Sequence, residues 1–399
     1  MRASPARIAF ALGFCALLAP LSAAAQSGEP EPPPDEAPAE DTTAEAEESP
    51  AATLEYDKGF VARSGDGQFE LKAGLRSQMR LEVQRPEEDD EFQSHFYIPR
   101  VRLQFEGHAF GEDTTYKMEF EATGDTGVSV LKDFFVNHSF GGYQIRAGQW
   151  KKPFARHELI SDFAGTFNER ALANGLVDIG RDLGVMVHNG YDKSPEGAEW
   201  ALGVFNGQGD ADGYGEQLDC DDPADATSCT VGVEPDDFGP RLVARVGWNS
   251  ADVKGYSEGD LEGGPLRYGV GASYQLDLND LDEEEEGDPE HGAVLDAIVK
   301  VAGLDVQGAV YLLKQGDADA EVSFLGQAGY FVVPERIQVA GRYSLLPEDD
   351  DENTQEVLGA VNWYFRGHNL KLATDAGVIL SSASDTSDVQ VRTMLQLVL

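Results

Sequence analysis

Rows of basic side chains on alternate positions are the first chemistry this chain offers. Lys72, Arg76 and Arg80 share one parity in an alternating stretch, and Arg100 and Arg102 repeat the spacing in the next. Residues two apart on an extended chain lie on one face, so each stretch presents several cations to the same side. Arginine suits oxyanion recognition, because its planar fork pairs with phosphate or carboxylate oxygens and keeps its charge at any physiological pH. Arg146 follows on a later stretch. Lys151 and Lys152 then open a well-mixed segment, residues 148–184, that also holds Arg170 and Arg181.

Other chemistries lack their residues. Asn137, His138 and Ser139 are adjacent, but neighbours on a strand point to opposite faces, so His138 and Ser139 are badly placed as base and nucleophile. Nothing in the chain reads as a phosphate-binding glycine loop or a zinc set. Neither an enzyme nor a bound cofactor or metal is expected. Cys15 falls in the leader described below. Cys220 and Cys229 remain, ten positions into an acidic stretch, and a local disulfide suits them better than a metal site, since no histidine lies nearby.

Strands must position these cations. Phe69, Leu71, Ala73, Leu75, Met79, Leu81 and Val83 occupy odd positions, while Gln68, Glu70, Lys72, Arg76, Gln78, Arg80 and Glu82 occupy even ones. Such alternation puts one face against something apolar and the other in water. The stretch exceeds the ~9–11 residues that a tilted membrane strand requires. Similar alternation recurs from residues 99–109 to 389–399, giving about 16 segments, an even number as bacterial barrels require. If the apolar parity faces lipid, the other parity carries about 15 basic and about 11 acidic side chains, although the whole chain has 30 Lys and Arg against 72 Asp and Glu. The wall is then basic inside an acidic protein.

The formal net charge of −42 argues against nucleic acid as a partner. Residues 1–25 read as a secretory signal peptide, with Arg2 and Arg7, an apolar run from Ile8 to Leu21 and a small-residue cleavage site. Residues 26–58, rich in Pro, Glu and Ala, read as a disordered periplasmic linker, and 59–399 as the barrel. Connections alternate between a mostly short set and a longer, acidic set, which places the acidic loops outside the cell if both termini are periplasmic. These loops read as solvated surface; weak divalent-cation bridging to lipopolysaccharide is the sharper alternative.

GQWKKPF at 148–154, FNER at 167–170 and GRDLGV at 180–185 occur in that order, with RVRLQFEG at 100–107 and NWYF at 362–365. Together they resemble the phosphate-selective porins O and P over most of the chain after residue 56. The resemblance implies a homotrimeric all-β outer-membrane barrel of about 16 antiparallel strands, with a loop folded inward between two of them to constrict the pore. It also implies a role for Asp133, within LKDFF, in orienting nearby basic groups. The chain ends on Leu399, where the family usually ends on an aromatic residue. The expected pore-lining set is Arg76, Arg80, Arg100, Arg102, Asp133, Arg146, Lys151, Lys152, Arg170 and Arg181. The expected function is passive diffusion of small hydrophilic solutes across the outer membrane, favouring anions such as phosphate, with membrane lipid and lipopolysaccharide around the barrel. A general or cation-tolerant porin and a structural or adhesive barrel with a plugged lumen are the alternatives.

Overall fold

The computed structural model describes residues 52–85, 91–122, 130–177, 180–207, 217–220, 229–232, 240–278, 288–348, 352–382 and 387–399. The signal peptide, the linker up to residue 51 and most of the acidic loops lie outside the described residues.

Alternation becomes strand throughout. A first hairpin, β1 (Thr53–Tyr56) and β2 (Phe60–Arg63), precedes β3 (Glu70–Arg85), β4 (Gln93–His108), β5 (Thr114–Glu121), β6 (Val130–Ser139) and β7 (Gln144–Lys151). A long connection leads to β8 (Arg181–His188) and β9 (Gly197–Phe205), and β10 (Gln217–Cys220) with β11 (Cys229–Gly232) forms a separate ladder. The remaining strands are β12 (Arg241–Asn249), β13 (Arg267–Asp277), β14 (Glu290–Val301), β15 (Leu304–Gln315), β16 (Glu321–Val333), β17 (Ile337–Pro347), β18 (Asn353–Tyr364), β19 (Leu370–Ser381) and β20 (Ser387–Val398). Each of β3–β9 and β12–β20 pairs antiparallel with its neighbours, β9 pairs with β12, and β20 returns to β3 from Val389↔Arg85 to Val398↔Arg76. Sixteen strands thus close a barrel, which leaves no free sheet edge in lipid.

Burial inverts the rule for water-soluble proteins. Along β16, Ser323, Leu325, Gln327 and Phe331 are buried while Val322, Phe324 and Tyr330 are exposed. The apolar parity is the outward one. Exposed Trp248, Tyr330, Trp363 and Phe365 gather toward one end of the wall, and exposed Phe96, Tyr274 and Phe324 toward the other, as the aromatic girdles of a membrane barrel do. No helix among the described residues is long and apolar enough to cross a membrane.

The linker reading ran to residue 58, but Thr53–Tyr56 is strand. β20 covers β3 only from Arg76 onward, so Glu70 to Ala73 still offer backbone groups, and β2 takes that edge in the pairs Phe60↔Ala73 to Arg63↔Glu70. Gly59 makes the hairpin turn at φ 137°, and a Cβ there would lie 2.9 Å from the Ala73 carbonyl oxygen.

Residues 152–177 lie inside the barrel. Phe154, Ala155, Ala171, Ala173, Leu176 and Val177 pack with Val243, Val294, Ala309, Tyr311 and Leu325 from the inner faces of β12 and β14–β16. Hydrogen bonds reach the far wall as well. Asn168 N donates to Asp375 Oδ2 (2.8 Å), and Asn362 Nδ2 donates to Thr166 O (2.8 Å). A second inward segment, residues 250–265, joins β12 to β13. Its Glu258 N donates to Ala164 O at 3.0 Å, and Lys300 Nζ donates to Ser257 O at 2.7 Å. Sequence reading took this stretch as a plain connection, because its glycines and charges carry no periodicity.

Candidate functional site

Arg76 and Arg102 are cross-strand partners on β3 and β4, as are Gln78 and Arg100, and the register slips by one residue between Gln78 and Arg80. Such bulges re-aim side chains beside functional sites. Around these strands the charges interlock. Arg76 Nη1 is 3.5 Å from Glu119 Oε2, while Arg102 spans Glu121 (3.0 Å) and Asp162 of the inner loop (2.9 Å). Asp133 receives Lys117 and Arg181, the latter at 2.7 Å. Lys151 Nζ reaches Glu158 Oε1 at 3.1 Å, and Arg170 holds both Glu158 (2.8 Å) and Asp162. On the loop, burial pushes the Asp162 carboxyl up, but Arg170 and Arg102 outweigh it and hold the group well below the usual carboxylate range. Breaking a buried pair by deleting one partner costs about 3–5 kcal/mol.

Between this wall and the loop lies a cavity of about 200 Å³. Six of its lining residues are cations, namely Arg76, Arg102, Lys117, Arg146, Lys151 and Arg181, against three carboxylates, Glu119, Asp133 and Asp192. Exposure sharpens the asymmetry. In the Arg76–Glu119 pair the side chains are 25% and 2% exposed, and in Lys117–Asp133 they are 24% and 8%. In these two pairs the carboxylate stands behind and the cation in front. Arg181 and Asp133 are level at 8% each, and Asp192 is the more exposed member of its pair with Arg146. A second cavity of about 200 Å³, lined by Lys58, Lys72, Arg76, Gln104 and Glu106, shares Arg76 with the first.

Of the residues expected to line the pore, Arg76, Arg102, Asp133, Arg146, Lys151 and Arg181 come together in the first cavity. Arg80 and Arg100 gather instead around Glu169, and Arg170 sits on the loop between Glu158 and Asp162. Lys152 is fully buried outside that cavity, within electrostatic reach of Asp182, because neighbours on an extended chain face opposite ways. Arg181 opens β8 rather than riding on the loop. Cys220 and Cys229 are directly paired positions of the β10–β11 ladder.

The basic wall extends less far as an open surface than its alternation suggests. Arg245 is buried between Asp296 (2.8 Å) and Glu199 (3.1 Å), Arg342 faces Glu356 (2.8 Å), and Arg392 faces Asp375 (2.7 Å). On that side the inner loop and the second segment cover the wall, so its charges serve packing. Glu158, Asp162, Glu199 and Glu258 were missed as network members. Each lies in a connecting segment or at a strand's start, where alternation gives no facing.

Residues 70–257 match the family model described as phosphate-selective porin O and P. Over that span, a little under half of the chain, the sequence is similar to this porin family. No curated protein matches the sequence significantly. Among solved structures, the fold is similar to an anion-selective porin from Comamonas acidovorans (TM-score 0.55, 11% identity, covering 82% of this chain and 99% of that one). It is similar also to Salmonella typhi OmpF in complex with daunomycin (TM-score 0.57, 12% identity, 87% and 100% coverage) and to OmpT, an outer-membrane protein of Vibrio cholerae (TM-score 0.53, 9% identity, 83% and 98%). At such identities the likeness is one of fold. The porin is thus a sixteen-stranded outer-membrane barrel, a channel-type architecture, with its densest charge network on the β3–β8 side.

Proposed function

We propose that this porin passes small hydrophilic solutes by diffusion and prefers anions, phosphate among them, along the β3–β8 side of its lumen. The observation that carries this reading is the order of charge around the first cavity. Cations outnumber carboxylates in its lining by six to three, and in the Arg76 and Lys117 pairs the cation is the member nearer water. A narrow, low-dielectric passage so lined concentrates anions, and the carboxylates behind keep each site weak enough to release them. The same reading includes no catalytic activity, a cleaved signal peptide, lipid and lipopolysaccharide around the barrel, and a homotrimer.

The test is single-channel recording of the refolded protein in a planar bilayer under a chloride gradient, followed by phosphate. The expected result is a reversal potential of anion sign and a chloride current reduced by phosphate. Cation selectivity without block would leave a general porin governed by its acidic loops. One observation favours a second reading, a plugged structural barrel: the apolar cluster of the inner loop fills the lumen beside β12 and β14–β16. A barrel of that kind would carry no steady open current.

A further inference from the structure

Glu169 of the inner loop bridges two arginines of the wall. One carboxylate oxygen faces Arg80 Nη2, and the other lies 2.7 Å from Arg100 Nη2. Here the charge order of the neighbouring cavity is reversed. The Glu169 side chain is 33% exposed, against 3% for Arg80 and 15% for Arg100. Each arginine also has a branch fixed by the wall. Arg80 Nη1 donates to the Tyr97 hydroxyl (2.7 Å), which in turn donates to Glu82 (2.6 Å), and Arg100 Nη1 donates to Gln78 Oε1 (2.9 Å). The remaining branches converge on one pair of oxygens, at the bulge between Gln78 and Arg80.

The peptide around Glu169 is held independently of its carboxylate. Arg342 Nη1 donates to Glu169 O (2.8 Å), Arg80 Nη2 donates to Asn168 O (3.1 Å), and Asn168 Nδ2 donates to Arg392 O (3.0 Å). The side chain can therefore leave the two arginines while the loop stays in place. Arg80 keeps Glu82 Oε2 at 3.6 Å from its Nη1 and Arg100 keeps Asp162 Oδ2 at 3.8 Å from its Nε, but the Nη2 of each loses its carboxylate when Glu169 leaves, and an unmet hydrogen bond of a buried charged group is costly.

We propose that Arg80 and Arg100 form a subsite for a two-oxygen anion, carboxylate or phosphate, and that Glu169 is its resident counter-ion, displaced by a passing solute. The proposal rests on the anion-passing reading above and adds a site to it. Exchange of one oxyanion for another keeps both guanidinium forks paired throughout, so a solute gains little net energy and leaves readily. That is what conduction demands of a binding site. A tethered competitor also weakens apparent solute affinity by the fraction of time it occupies the site.

The experiment measures the concentration of inorganic phosphate, and separately of acetate, that halves the chloride current through single channels. A hydrogen bond to a charged group contributes about 1.5–3 kcal/mol, so removing the competitor in Glu169→Gln should lower the half-blocking concentration by roughly tenfold or more. In an Arg100→Gln background the same change should have no effect. Phosphate and acetate responding alike identifies a general oxyanion site, and a response to one alone identifies its solute. An anion-selective wild type whose half-blocking concentration is unmoved by Glu169→Gln overturns the subsite and leaves the anion reading standing. Absence of block in both proteins overturns both. If Glu169→Gln fails to reach the heat-modifiable folded form on a gel, Glu169→Asp decides: with its charge kept but its reach one methylene shorter, it should be blocked at lower concentration, and an unmoved value again overturns the subsite.

Discussion

Arg76 Nη1 and Glu119 Oε2 stand 3.5 Å apart with the carboxylate sealed and the guanidinium open to the lumen. Because Arg76 lines both cavities on this side of the barrel, it is the charge a solute meets in either chamber. Replacing it by glutamate changes the local charge by two units. At roughly 10 Å and an effective dielectric near 20, one unit charge is worth about 1.7 kcal/mol. The Arg76→Glu variant should therefore move the anion-to-cation permeability ratio by roughly tenfold or more toward cations, while Arg76→Lys stays near wild type. The reversal potential measures this, and an unchanged value in Arg76→Glu would mean that ions travel elsewhere.

Glu258 ties the two inward segments together. Its Oε2 accepts from the Thr166 amide (2.6 Å), and its Oε1 faces His157 Nδ1 at 3.4 Å. His157 Nε2 accepts from the Ala171 amide (3.1 Å), and its Nδ1 lies between Glu258 and Gln307 Nε2 (3.2 Å). Glu258→Ala leaves a buried amide unsatisfied at a cost of about 1–3 kcal/mol. That suffices to loosen residues 164–171 without dissolving the barrel. Single-channel traces of the variant should show larger and noisier open levels than wild type. Traces of unaltered size and noise would show that the second segment does not restrain the first.

The same junction sets a response to acid. His368, in the turn between β18 and β19, hydrogen-bonds through Nε2 to Glu258 O at 3.1 Å, and its Nδ1 is buried with no acceptor. Burial, reinforced by nearby Lys371, lowers its pKa from 6.5 to about 3. For Glu258, burial pushes the carboxyl up, but hydrogen bonds from His157 and the Thr166 amide bring it down to about 2. A histidine with a depressed native pKa binds more protons when released, so its contribution is complete above about pH 6.5 and is lost progressively as pH falls toward 3. The glutamate contribution is complete above its ordinary 4.5 and is lost between there and 2. Channel noise should therefore rise first between pH 6.5 and 4. His368→Gln should remove that first rise and leave the more acidic one. A variant with the wild-type pH profile would dismiss His368 as its cause.

Much of the barrel was legible in the chain, because a membrane wall imposes period-two alternation on every strand. Phe69 to Val83 announce β3, and the later segments match the other barrel strands to within a few residues, except that β4 begins at Gln93, six residues before the alternation read from 99. The inner loop was legible as the stretch at 148–184, the longest with balanced charge and little alternation. What alternation cannot express is coverage. Arg76 and Arg245 are both arginines that face inward, yet one borders a cavity and the other is sealed between Asp296 and Glu199 beneath the inner segments. That difference depends on where residues 152–177 and 250–265 come to rest, which is decided by contacts across the lumen such as Asn168 to Asp375. The hairpin Thr53–Arg63 was hidden for a related reason: only the unclaimed edge of β3 gives it a place to pair.

The β10–β11 ladder makes one covalent expectation sharp. Its register sets Cys220 directly opposite Cys229. Directly opposed residues of an antiparallel pair have Cα atoms about 4.5–5.5 Å apart, inside the ~4.4–6.8 Å span that a disulfide bridges. An exported protein meets an oxidising compartment, so the bond should form. A closed loop of this length restricts the unlinked ensemble by about 3 kcal/mol, enough to order the hairpin. Protein recovered from the outer membrane should accept a thiol-alkylating reagent at these positions only after reduction. The Cys220→Ser and Cys229→Ser variants should be cut faster by protease between β9 and β12 while conducting as wild type does. Alkylation of both cysteines without reductant would show that the ladder holds two thiols, and altered conductance in the serine variants would show that this hairpin touches the solute path.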